Sequence, residues 1–182
     1  VLLGRRPSRS IAIAVAILAG AARCYGDVRS PFDEEDRAAN NSIYAEGLGP
    51  GIVYSLDYDR AFGDAVVRVG AGVVPGKEAG KASTEPLLIS VPLTVSYIGA
   101  GSRWNMLELG AGLVYLHVAP HVRNFYVESK PETVNTVLAT GIVGYRFQPP
   151  QGGLLIRAGV CPIIGRYGFF PLWPYLALGV TF

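Results

Sequence analysis

Seven charged residues, Glu46, Asp57, Asp59, Arg68, Glu108, Arg146 and Arg157, stand singly at alternating positions in otherwise apolar, strand-like stretches. Successive side chains of a strand point to opposite faces. Asp57 and Asp59 therefore oppose Ile52, Tyr54, Leu56 and Tyr58, and Arg157 opposes Leu154, Ile156, Ala158 and Val160. The chemistry this pattern offers is ion pairing. Carboxylates and guanidiniums gathered on one shared face can neutralise one another where an isolated buried charge would be costly. The dipeptide Gly63-Asp64 is a two-residue hairpin turn that sets Phe62 against Ala65 and Asp59 against Arg68. An Asp59–Arg68 pair is expected, with Gly144 roughly opposite Arg157 leaving room for its guanidinium.

Other chemistry is thinly provided for. A lipid-directed hydrolase or transferase needs a nucleophile with a base in reach. The candidates are His117 and His121 with Ser83, Ser129 or Thr140, but His117 is followed by Val118-Ala119, not by a serine on the same strand face. A metal site from His117 and His121 with Glu128 or Glu132 lacks further clustered ligands. Gly47-Leu48-Gly49-Pro50-Gly51 is glycine-rich, yet no helix follows it to cradle a phosphate, so it reads as a turn. No catalytic residue, metal or cofactor is assigned.

The elements that would position the seven charges are eight strands, near 43–48, 51–62, 65–74, 87–97, 105–117, 134–147, 153–161 and 173–182. The connections between strands alternate short and long, except that the first, Gly49-Pro50, is brief on the side of the long ones. Those at 63–64, 99–103 and 148–152 are brief, and those at 75–86, 118–133 and 162–172 are extended. Tyr58, Phe62, Tyr97, Tyr145, Phe147 and Phe182 fall near one end of their strands, as an interfacial aromatic girdle would. A soluble barrel would bury its bulky face; here the charges lie opposite it, so the bulky face is outside. The fold expected is all-β: an eight-stranded antiparallel up-and-down transmembrane barrel.

Residues 1–26 carry Arg5, Arg6 and Arg9 ahead of an apolar run at 11–22, the pattern of a secretory signal peptide with cleavage between Ala21 and Gly26. Arg23 before Cys24 argues against lipidation, and a Cys24–Cys161 disulfide is not expected. Residues 27–42, with Asp33-Glu34-Glu35-Asp36, read as a flexible periplasmic segment, and 43–182 as the barrel domain. The 182 residues are 50% hydrophobic with a formal charge of +2. Without the leader's four arginines, twelve basic residues face fourteen acidic ones, and no basic patch suggests nucleic acid.

The chain resembles a family of small, mostly uncharacterised bacterial outer-membrane β-barrel proteins over roughly residues 41–182. The carrying segments are Asn41-Ser42-Ile43-Tyr44-Ala45-Glu46 with Tyr54-Ser55-Leu56-Asp57-Tyr58-Asp59-Arg60, and Gly144-Tyr145-Arg146-Phe147-Gln148-Pro149 with Gly152-Gly153 and Arg157-Ala158-Gly159. The resemblance implies an outer-membrane location and eight strands, and supplies no catalytic residue.

The function expected is that of a non-enzymatic, monomeric outer-membrane barrel whose lumen is plugged by the seven charges. Outer loops would carry any binding, with His117, His121, Arg123, Tyr126, Arg166, Tyr167, Phe169 and Phe170 as contacts. Its partners would be membrane lipids and the barrel-insertion machinery, reached through the strand ending in Phe182. The alternative is a lipid-modifying or lipid-binding barrel with an outward-opening pocket. Gly70, Gly72, Gly110, Gly112 and Gly159 would make room for it near Leu88, Val114, Leu138 and Ile142.

Overall fold

The structure, a computed structural model, describes residues 38–78, 81–119, 133–166 and 168–182. Eight strands follow in order: β1 (Asn41–Leu48), β2 (Tyr54–Phe62), β3 (Ala65–Glu78), β4 (Lys81–Gly101), β5 (Asn105–Val118), β6 (Val134–Phe147), β7 (Gly153–Gly165) and β8 (Gly168–Thr181). Each pairs antiparallel with the next, and β8 pairs with β1, closing an eight-stranded barrel. The Gly63-Asp64 turn sets the β2–β3 register, with Phe62 facing Ala65 and Asp59 facing Arg68. At the closing seam, Asn41 and Phe182 exchange backbone hydrogen bonds of 2.9 and 2.8 Å. Their end of the barrel is termed the lower rim.

Period-two patterning decides which face is which. On β8, Leu176, Leu178 and Val180 are 53–56% exposed, while Ala177 and Thr181 between them are buried. On β5, Leu107, Leu109, Leu113 and Tyr115 point outward, and Glu108 and Val114 point into the lumen. The apolar side chains clothe the outside, and the charges fill the inside.

Four local features depart from the sequence reading. β1 begins at Asn41, two residues earlier than expected, and Ala39 and Asn40 just before it are bonded to the barrel: Ala39 N–H donates to Pro150 O at 3.0 Å, and Asn40 O accepts from Ala61 N–H at 2.8 Å. The connections expected at 75–86 and 162–172 are mostly strand, so Phe169 and Phe170 lie in β8 instead of a loop. In the structure Pro75 faces Pro86 and Pro162 adjoins Cys161, each at a register shift where a missing N–H is tolerated. Pro92 has a milder effect: the β3–β4 pairing lapses between Val69–Leu93 and Gly72–Ser90 and resumes in the same register.

The fourth departure is the β1–β2 connection. Gly49–Gly51 forms one 3-10 turn whose residues are all buried. Leu48 and Ile52 flank it with φ of 60° and 72°, a left-handed conformation that β-branched and bulky residues rarely adopt. The turn folds inward, and the Ser90 hydroxyl holds it by donating to Gly51 O at 2.7 Å. A Cβ on Gly49 would run into the Glu46 carboxylate, so a residue without a side chain is required there.

Candidate functional site in the lumen

The lumen is layered from the lower rim upward. Ala61, Val66, Ile98 and Met106 form an apolar floor. Each of Ala61, Val66 and Met106 lies one inward step below a charge, respectively Asp59, Arg68 and Glu108. Above the floor, all seven inward charges are buried to 1% exposure or less.

Three guanidiniums organise the four carboxylates. Arg146 grips Asp59 with both ends of its fork, Nη1 to Oδ2 at 2.7 Å and Nη2 to Oδ1 at 3.0 Å. Arg157 holds Glu108 side-on, Nε to Oε2 at 2.9 Å and Nη2 to Oε1 at 2.8 Å. Arg68 donates from Nε and Nη2 to Asp57 Oδ1 at 3.0 and 2.8 Å. Glu46 ties the last two together: Oε1 accepts from Arg68 at 2.8 Å, and Oε2 accepts from Arg157 at 3.4 Å. Bidentate geometry is what makes arginine, rather than lysine, suited to this layer.

The expected Asp59–Arg68 pair is therefore corrected. The two are register partners, but Arg68 bonds Asp57 and Glu46, while Asp59 is bonded by Arg146 from the opposite wall. Gly144 is also one step from its expected place: it faces Gly159, and Arg157 faces Arg146. The space at Gly144 is taken by the Tyr175 side chain.

Several participants carry no charge. The Tyr44 ring lies between two guanidiniums, 4.8 Å from Arg157 Cζ and 5.6 Å from Arg68 Cζ, a cation–π contact on each side. Ser42 accepts from Arg146 at 3.2 Å, Gln148 Oε1 accepts from Arg146 Nε at 2.7 Å, and Ser55 donates to Asp57 at 2.7 Å. Parity held the signal for them. Ser42 and Tyr44 share the inward set of Glu46, and Gln148 extends that of Arg146.

Above the charges sit the buried 49–51 turn and an apolar cluster of Ile142, Cys161, Ile163 and Tyr175, flanked by Ile52, Leu138 and Trp173. The glycines expected to open a pocket are spanned by neighbours. A Cβ on Gly70 would meet Asp57, on Gly72 Ser90, on Gly110 Ser96 and on Gly112 Thr94. The Gly159 site faces Tyr175 and Gly144.

The remaining candidates do not converge. His117 lies on the outward parity of β5, where Nδ1 is 2.7 Å from Asn135 Oδ1. Thr140 is buried on the inward side and donates to Gly141 O, so this histidine and this hydroxyl occupy opposite faces of the sheet. Arg166 and the β8 residues Phe169 and Phe170 are exposed at the upper rim. His121, Arg123, Tyr126, Ser129 and Tyr167 lie outside the described residues, as do the signal peptide and most of the acidic segment. Among the described residues, no three of His, Cys, Asp and Glu group to hold a metal ion.

Fold and site together define a small, closed, antiparallel barrel with a paired-charge lumen. No protein-family model and no curated protein matches the chain. Among solved structures it is similar to the N-terminal β-barrel domain of OprF from Pseudomonas aeruginosa. The TM-score is 0.52 at 15% identity, over 79% of this chain and 98% of that one. At this identity the likeness is one of fold.

Proposed function

We propose that the chain is a non-enzymatic integral outer-membrane protein, its lumen closed by the charge layer and its upper hairpins free for structural or binding roles. The carrying observation is the outward surface of β5. Asn105 and His117 bound it, with Leu107, Leu109, Ala111, Leu113 and Tyr115 between. The polar boundaries are also marked by hydrogen bonds. Tyr145 donates to Asn105 at the lower rim, and Tyr115 donates to Asn135 beside His117 at the upper. Twelve rises of ~3.4 Å at a tilt of ~40° span about 31 Å, which leaves room for an apolar band of about 25 Å between polar edges. That is bilayer thickness. Antiparallel barrels of this kind belong to outer membranes, and the arginine-led leader supports export. In this reading the lower rim is periplasmic, and the closing strand β8 is presented to the insertion machinery.

Membrane fractionation with heat-modifiable gel migration tests the proposal. The folded chain should enter the outer-membrane fraction and run at a different position before and after boiling. Recovery in the soluble fraction would overturn it.

A further inference from the structure

Arg60 interrupts the apolar exterior. Among the described side chains it is the one charge on the outward parity of the eight strands. Its neighbours on β2 are Tyr58 and Phe62, and its register partner on β1 is Asn41. The guanidinium carbon lies 5.4 Å from the centroid of the Phe62 ring. Phe62 is the last residue of β2, so the charge is turned toward the lower rim rather than the middle of the band. No ion pair links Arg60 to a carboxylate among the described residues.

The polar groups beside it lie at the same level. Tyr58 donates to Asn41 Oδ1 at 2.8 Å, and Asn41 Nδ2 reaches Phe182 O at 3.4 Å. This is the lower boundary of the apolar band, matching Asn105 on β5. A guanidinium stacked on an aromatic ring keeps its in-plane N–H donors available, and its fork fits two oxygens of a phosphate.

We propose that Arg60, with Asn41 beside it and Phe62 beneath it, is a docking site for the phosphodiester of an anionic glycerophospholipid in the leaflet facing the lower rim. The proposal rests on the membrane reading above. An anionic headgroup is favoured over a zwitterionic one because a choline or ethanolamine brings its own cation to the same phosphate. Phe62 and Tyr58 offer their flanks to the acyl chains, so the lipid is held at both its polar and apolar parts.

The full chain is folded into phosphatidylcholine vesicles, checked for heat-modifiable migration, and extracted into micelles doped with phosphatidylglycerol or phosphatidylcholine for native mass spectrometry. Wild type should retain one phosphatidylglycerol in preference to phosphatidylcholine. Arg60→Gln should lose about fivefold of that preference, the weight of one arginine at an anionic surface, and Arg60→Lys should keep part of it. Equal retention of phosphatidylglycerol by wild type and Arg60→Gln would overturn the site, as would a wild type without preference. Those outcomes leave the membrane reading standing. A wild-type chain that does not insert into the vesicles would overturn both.

Discussion

Asp59 lies directly across the β2–β3 ladder from Arg68, yet its carboxylate is gripped by Arg146, 87 residues further along the chain and on another wall of the lumen. The closest backbone neighbour is not the electrostatic partner. Truncating Arg146 should thus orphan Asp59, whereas truncating Arg68 should orphan Asp57 and weaken the hold on Glu46. Each change should cost roughly 3–5 kcal/mol, because an uncompensated charge remains among side chains buried to 1% exposure or less. A double-mutant cycle by denaturant unfolding in vesicles distinguishes the pairs. Asp59→Asn and Arg146→Ala should couple strongly, and Asp59→Asn with Arg68→Ala weakly. Reversed couplings would refute the assigned pairing.

This contrast marks what the sequence could say. Strand parity and the Gly63-Asp64 turn determine which residues face inward and which backbones pair, because both are local rules with period two. They place all seven charges inside the lumen. The choice of partner is different: it depends on how far each guanidinium reaches across a closed barrel, which no single hairpin encodes. The inward fold of Gly49–Gly51 was hidden for a related reason. A Gly-Pro-Gly turn reads the same whether it points to solvent or into the lumen, and what decides is the space above Glu46 and beside Tyr175 and Ser90. The connections expected at 75–86 and 162–172 erred in the opposite direction: the strands continue through them, with Pro75, Pro86 and Pro162 at irregularities of the ladder.

Conductance is the second prediction. Arg157 and Arg68 enclose the Tyr44 ring, and the buried Gly49–Gly51 turn lies above them, so side chains and backbone both obstruct the lumen. An eight-stranded interior is just wide enough for its side chains to fill it. Wild-type protein in planar bilayers should be silent. Steady single-channel openings would refute the closed lumen.

The seam between β1 and β8 supplies a third. Gly179 faces Tyr44 in register, and a Cβ there would collide with the Ile43 carbonyl and with Tyr44 itself. The Ile43 carbonyl and the Tyr44 Cα belong to the backbone of the β1–β8 ladder, so neither can turn aside as the end of a flexible side chain could. Gly179→Ala should destabilise the barrel by about 1–3 kcal/mol. Gly47→Ala on the neighbouring strand is the control: its added carbon would lie 3.9 Å from the Leu176 carbonyl, an ordinary contact. Equal unfolding midpoints for the two variants would count against this account of the seam.

Cys161 gives the fourth. It is a free cysteine at 0% exposure, packed with Ile142, Ile163 and Tyr175 in the upper lumen. In a Cys24→Ser background, a bulky maleimide should label the folded barrel hardly at all and the denatured chain fully. Rapid labelling of the folded form would mean that the upper lumen is open to solvent.

The two tryptophans provide the last, because the barrel places them in opposite environments. Trp104 lies in the short connection between β4 and β5 at the lower rim, 50% exposed, its ring centroid 6.0 Å from that of Phe147. Its backbone is fixed there by Gln148 N–H, which donates to the Trp104 carbonyl at 2.9 Å. An indole pairs an apolar body with one N–H donor, so it settles at a headgroup boundary. Trp173 sits on the inward parity of β8, packed against the apolar cluster of the upper lumen. In vesicles of brominated phosphatidylcholine, Trp104 emission should be quenched more by bromines near the headgroup than by bromines near the chain ends. Trp104→Phe should remove most of the quenching, and Trp173→Phe should leave it in place. If the Trp104→Phe protein is still quenched as strongly as wild type, then either Trp173 meets lipid or Trp104 does not, and the assignment of inside, outside and lower boundary must be redrawn.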